Sequence, residues 1–392
     1  MLDIRFLQSN RYKLIVISLW LLSFFLLTNS QYVINFTYIF LLLPTLLTVR
    51  FSELKNYFSN PITLLFVVFL ITTIAAAFHS GRAISQAIYC FVILLFYLTI
   101  FRLPKIDAIT EYRFAWTWFF VAIAYTLFNL ILTWKSGTWH YGDRLITFSA
   151  FIDNPIYVAD LLTVGLAMIS FFAIKNNQFV RLAVAHVITL FFGLIILQSR
   201  SMLPAWLVVS VLTIAAAFLS NKHYLSKRHL IWLIIPVATL TYILSSETGA
   251  NILARGDSYR FEIWQAYIQE TIKCGIIFGC GMEDHIRYIA SDGILMAHAH
   301  NIFIANFAKT GLAGTIPLLT LITITILYGL KKNKMAAWFF VASVTALLFD
   351  GSSLIKSPNE RWIMIHLPLA YLIKLIVEEK MASKISVDLK DG

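Results

Sequence analysis

Residues 61–78 read PITLLFVVFLITTIAAAF, a run without one charged side chain. About 20 such residues, wound as a helix, cross the roughly 30 Å hydrocarbon core of a bilayer. The run has no polar stripe of helical period, so it does not describe a surface helix of a soluble protein. After His79-Ser80-Gly81-Arg82 a second apolar run begins at Ala83 and lasts to Phe101. Two long apolar runs joined by a short turn predict a transmembrane hairpin. The rest of the chain repeats that unit.

Working outward, further apolar runs cover about 13–28, 33–49, 112–134, 156–174, 180–198, 203–219, 229–245, 302–330, 335–349 and 361–377. With the first two they make about twelve expected spans. The predicted fold class is an all-α polytopic membrane protein. Composition agrees: the chain is 59% hydrophobic and 13% charged, with mean hydropathy +0.78, where a soluble domain carries about 25% charge. The net charge of +11 is dispersed through short loops. It reads as insertion bias rather than as a basic surface, so no nucleic-acid partner is expected. The first apolar run follows Arg5, Arg11 and Lys13 and has no small-residue cleavage site after it, so it is expected to stay as a helix.

Lys and Arg set the expected orientation. Alternate loops, including Arg5, Arg11, Lys13, Arg50, Arg102 and Lys374, hold twenty of them; the opposite loops hold ten. The richer side is expected in the cytoplasm with both termini. The poorer side, expected outside, carries Arg82, Arg144, Arg200, Arg255, Arg260, Lys356 and Arg361 among others. Insertion bias does not put cations there, so each needs a local reason. The division expected is helices 1–9 in residues 1–245, a large outer loop with short helices in 246–301, and helices 10–12 with a cytoplasmic tail in 302–392.

That loop is the longest polar stretch in the chain. Arg255-Gly256-Asp257-Ser258-Tyr259-Arg260 leads into residues 259–273, which read as an amphipathic helix capped by Asp257 or Ser258. Ile263, Tyr267 and Ile268 are expected on one side, Glu262 and Glu270 on the other. Arg260 and Trp264 share a face; Trp264 alone could be an interfacial anchor. Arg200 stands in the tight turn Gln198-Ser199-Arg200-Ser201, where an arginine can either snorkel to headgroups or bind an anion. His298-Ala299-His300-Asn301 immediately precedes the tenth run. A histidine at a helix N-terminus beside arginines should stay neutral and can accept a proton, while the same helix end attracts an anion. Together these groups suit transfer from a phosphate leaving group.

Other polar residues are read more plainly. Cys274 and Cys280 sit among glycines and are expected as free thiols, a bridge being the alternative. His223, His229 and His366 read as interfacial. Asp160 and Lys309 lie at similar depth and are expected to pair or to line a wet cavity. His298-x-His300 lacks companion donors at metal-binding spacing, so no metal is expected.

These motifs resemble the O-antigen ligase and O-antigen polymerase-like superfamily. Arg260-Phe261-Glu262-Ile263-Trp264 resembles its Arg-x-x-x-Trp signature and Gly279-Cys280-Gly281 its Gly-x-Gly. His300-Asn301 followed by Gly311 and Gly314 is similar to the ligase's His-Asn with downstream small residues. The resemblance implies a GT-C-type inverting glycosyltransferase without metal or cofactor. It would move O-antigen polysaccharide from undecaprenyl diphosphate to lipid A-core at the periplasmic face of the bacterial inner membrane. It implies His300 as the base, Arg200 and Arg260 with Arg255 as diphosphate ligands, and Trp264, Asn301, His298, Gly311 and Gly314 in support. The alternatives are an O-antigen polymerase using the same donor and a polysaccharide or lipid transporter.

Overall fold

The structure, a computed structural model, describes residues 4–78, 80–220, 227–254, 259–282, 286, 288–289, 295–296 and 298–388; for 220, 227–233 and 384–388 it describes the backbone alone. Arg255, Asp257, Ser258 and His223 lie outside the described residues, as does the side chain of His229.

Each predicted apolar run falls on a helix. They are α1 (Asn10–Leu26), α2 (Ser30–Thr48), α3 (Pro61–Phe78), α4 (Ala83–Phe101), α5 (Ala108–Lys135), α6 (Pro155–Lys175), α7 (Phe179–Ile196), α8 (Met202–Ser220) and α9 (Lys227–Ser245). Two short helices follow, α10 (Glu247–Ala254) and α11 (Arg260–Gly275), then α12 (Ile302–Lys331), α13 (Met335–Leu347) and α14 (Leu367–Asp388). Eight of these helices are long and apolar enough to cross a membrane, α2 to α8 and α12. The chain is an all-α polytopic membrane protein. Of the remaining runs, α1 spans 17 residues and α13 spans 13, while α14 begins beyond a π-helical turn at Trp362–His366.

The bundle is built around α6, in which every residue from 157 to 174 is buried. Helices α5, α7, α8 and α13 surround it. Gly165 makes one such contact close: a Cβ there would lie 3.1 Å from the Phe119 ring. The other helices group beside this core, with α12 against α3 and α13, and α14 against α4.

The two ends of the bundle differ in chemistry. At one end Lys13 donates to the Arg102 carbonyl (3.1 Å), Arg102 reaches Thr48 (2.8 Å) and Glu53 (3.1 Å), and Lys374 donates to the Phe101 carbonyl. Lys374 is 1% exposed, so its ammonium travels along its own stem to a carbonyl at the helix end. At the other end the connections between helices bond to one another. Gln198 donates to the Gly142 carbonyl (2.8 Å), the Met282 amide to Ser80 Oγ (3.1 Å) and Arg361 to Tyr157 Oη (3.3 Å).

Several sequence expectations change here. Cys274 and Cys280 form a disulfide, with Cα atoms 5.0 Å apart. The left-handed backbone of Gly275 and Gly279 (φ 127° and 70°) turns the chain back, so glycine neighbours favour the bridge rather than oppose it. His366 is not interfacial: it is 2% exposed, bonded to Tyr97 (3.2 Å) and Leu354 O (3.0 Å), because residues 348–361 fold over its helix end. Ile268 is 40% exposed, while Ile263, Tyr267 and Thr271 form the buried face of α11.

Candidate functional site

A cavity of about 240 Å³ opens at the second end of the bundle, lined by Arg144, Ile156, Gln198, Ser199, Arg200, Ser201, Arg260, Met296 and His300. Arg200, Arg260 and His300 therefore meet, although a hundred positions of sequence separate the first from the last. Arg144 joins them.

Each side chain is positioned by local structure. The π-helical end of α7 (Phe191–Ile196) shifts the ladder by one residue, and the Ser199 amide donates back to Gly193 O (2.9 Å). Gly193 lets Met202 lie against α7, since a Cβ would fall 1.9 Å from the Met202 sulfur. Ser199 and Ser201 bond through their hydroxyls at 3.0 Å, and the Leu203 amide closes the turn on Arg200 O (3.0 Å). Arg200 thus stands at the tip of a fixed turn. Arg144 is held from the other side: its Nε donates to Leu197 O (3.0 Å) and the Leu145 amide to Ile196 O (2.9 Å).

Arg260 is the first residue of α11, and Tyr259 before it has φ 60° without a side-chain cap bond. Trp264, one turn along, donates from Nε1 to Ala299 O (2.9 Å) and packs near Phe349. That bond braces the segment carrying His300. Asn301 caps α12, accepting from the Phe303 and Ile304 amides (2.9 and 3.1 Å). Held on both sides, His300 adopts φ 47°. Among the described residues the non-glycines of positive φ are Asn177 and Asn333, which tolerate it, Gln198 and His300, which line the cavity, and Tyr259, which precedes the lining residue Arg260. A left-handed L-residue costs about 1–2 kcal/mol, and such strain gathers where side-chain direction matters.

The His300 ring is 36% exposed and its Nδ1 lies 3.5 Å from Asp350 Oδ1. Asp350 Oδ1 also accepts from the Gly351 amide (2.7 Å). With Nδ1 facing a carboxylate, Nε2 is the nitrogen left to accept a proton. Asp350 went unnoticed in the sequence as a lone acid ending an apolar run. Arg144 was visible only as one more cation on the poorer side. Arg361, by contrast, is buried in its own loop, bonded to Asn359 (3.2 Å), Ser352 (3.3 Å) and Tyr157; its reason for standing at this end is structural.

Asp160 does not pair with Lys309 as expected. It is fully buried, neither carboxyl oxygen has a hydrogen-bond partner among the described residues, and the charges acting on it are Asp350 and Arg260. His298 is outside the cavity lining, its ring centre 6.4 Å from that of His300. Met296 reaches the cavity from the hairpin of β1 (Tyr288–Ile289) and β2 (Leu295–Met296). Tyr288 of that hairpin donates to Glu262, and this carboxylate partner pushes the phenol above its usual pKa.

Electrostatically the cavity suits an anion. Besides three guanidinium groups, the N-termini of α6, α8, α11 and α12 adjoin it through Ile156, Ser201, Arg260 and His300. Each helix start presents roughly half a positive charge, and arginine grips phosphate oxygens in pairs.

No protein-family model matches the chain. Among characterised proteins, a stretch of 151 residues is 28% identical to the O-antigen ligase of Pseudomonas aeruginosa, covering 37% of this chain and 37% of that protein. The chain is thus similar, over little more than a third of either length, to an O-antigen ligase.

Proposed function

We propose that the chain is an inverting glycosyltransferase of lipopolysaccharide assembly, a ligase moving O-antigen polysaccharide from undecaprenyl diphosphate to lipid A-core at the periplasmic face of the inner membrane. The observation that carries this reading is the single cavity lined by Arg144, Arg200, Arg260 and His300. The partial likeness to an O-antigen ligase supports it. So does the Cys274–Cys280 bridge at the far end of α11, since disulfides persist in oxidising compartments.

In this mechanism the diphosphate lies against the arginines and the helix N-termini, and its prenyl tail stays in lipid. His300 Nε2 takes the proton of an acceptor hydroxyl. The hydroxyl oxygen attacks the anomeric carbon on the face opposite the diphosphate, so configuration inverts. The sugar–phosphate bond breaks, its electron pair leaves on the diphosphate, and the guanidinium groups stabilise that charge as it develops. Asp350 holds the imidazole and stabilises the imidazolium formed.

The test uses purified protein in lipid nanodiscs with donor and acceptor. Undecaprenyl diphosphate should be released only when lipid A-core is present, with the polysaccharide found on core. Release with a second lipid-linked glycan as acceptor would make the chain a polymerase. Movement of intact donor across the bilayer without bond cleavage would make it a transporter. In a deletion strain, loss of ligase leaves long chains on the carrier, whereas loss of polymerase leaves single units on core.

A further inference from the structure

Helix α12, which begins just after His300, is broken. Gly311 has φ 59° and ψ −158° inside it, so the ladder of backbone bonds is interrupted there. The segment after α11 fills the gap. Ile276 O and Ile277 O accept from the Leu312 and Ala313 amides, both at 2.9 Å, and the Cys280 amide donates to Ala308 O at 2.7 Å. The approach is backbone on backbone: a Cβ on Gly311 would lie 2.3 Å from Ile277 O, and one on Gly279 would lie 2.6 Å from Ala308 O. The disulfide closes this segment onto the last turn of α11. Gly281 and the Met282 amide then seat it on Ser80 between α3 and α4.

Helix α11 is thereby tied to α12 at two places, by Trp264 on Ala299 before the helix and by residues 276–280 at the break. Between them Ile263 and Tyr267 pack with Ala305 and Ala308. The two helices run side by side in the same direction, with Arg260 and His300 at their cavity ends. Beyond Gly311, α12 packs in the bundle; before it, Ile304, Ala305 and Ala308 pack with α11 while Ile302 and Phe303 reach the bundle core.

We propose that the disulfide-closed segment 274–280, seated on the Gly311 break, is a joint that fixes the α11–α12 unit against the bundle, making Cys274, Cys280 and Gly279 positioning residues for His300. This rests on the transfer reading for its kinetic arm alone. The joint sets where His300 and Arg260 stand relative to Arg200 and Arg144. A misplacement of about 1 Å at a reacting group lowers turnover on the order of 10²-fold.

The test reduces the folded protein in nanodiscs with dithiothreitol, which becomes its own cyclic disulfide as two protein thiols form. Cys90 is free but buried, so alkylation of the folded protein should report the thiols of Cys274 and Cys280, absent before reduction and present after it. Amide hydrogen exchange over residues 302–310 should then speed up about tenfold or more, and kcat should fall on the order of 10²-fold, with a smaller rise in KM for donor because Arg260 moves with His300. Reoxidation should restore both. Gly279→Ala, which keeps both cysteines but forces the segment off α12, should match the reduced protein. Full reduction that leaves exchange and kcat unchanged refutes the joint, as does a fall in thermal stability alone. The exchange arm needs no substrate, so a chain that transfers nothing still tests the joint, and the two failures remain separable.

Discussion

Asp160→Asn should make the protein more stable. The substitution keeps the size of the side chain, so the packing of α6 against its neighbours is preserved. What changes is charge. Asp160 is 0% exposed with both oxygens lacking a partner among the described residues, and the repulsion from Asp350 outweighs the attraction of Arg260. Asn lacks partners there as well, so what it removes is the extra cost of carrying a charge inward or taking up a proton on folding, on the order of 1–3 kcal/mol. For a chain of this size such a gain raises the apparent melting temperature by about 1–5 °C. The assay is thermal unfolding of wild type and variant in the same nanodiscs at one scan rate, because unfolding of such a protein is governed by rate. The KM for donor should fall in parallel, because removing a negative charge that acts on Arg260 leaves the anion site more positive. A melting temperature that drops by several degrees refutes the reasoning, for it would mean the carboxylate is firmly bound where it stands.

Further outcomes follow from the cavity. His300→Ala should abolish transfer while donor binding, measured by retention of labelled lipid, persists. Arg260→Lys should lower kcat/KM by about 10²-fold, since an ammonium lacks the planar paired grip; near-normal rates would remove Arg260 from the diphosphate. Trp264→Phe keeps the ring but deletes the bond to Ala299 O, so about 1 kcal/mol of stability should be lost and kcat should fall more than KM changes. At the opposite end, Asp107 caps α5 by accepting from the Thr110 amide at 2.7 Å, and that bond holds its carboxyl below the usual range. Its contribution is complete above the ordinary aspartate pKa and disappears as pH falls through the lowered value; the Thr110 amide should lose protection, measured against its intrinsic exchange rate, across that acid window and keep it near neutrality.

Hydropathy is a local property, which is why the apolar runs could be placed from the sequence. So could Arg200 and Arg260 be singled out, because they fall in the loops poorer in Lys and Arg. What escaped notice depends on the third dimension. Asp350 acquires a role only through a ring 50 positions upstream. The disulfide was misread because the glycines between its sulfurs suggested looseness, whereas their left-handed backbone makes the turn that closes it. The bond from the Trp264 indole to Ala299 O joins residues 35 positions apart. His366 stood at a helix end, but the loop before it folds back over that end.

The enclosure of α6 also constrains how the molecule is made. Its mean hydropathy, 1.9, lies within the 1.4 to 2.4 of the other long apolar helices, so the insertion machinery receives no sign that it is central. On emerging it must first sit among lipid tails with Asp160, Thr163 and Ser170 exposed to them. Helix α13, which covers one of its sides, is synthesised some 160 positions later. Until then the nascent chain shows lipid a face it will later hide, a signature by which a membrane protease could tell an unfinished molecule from a finished one.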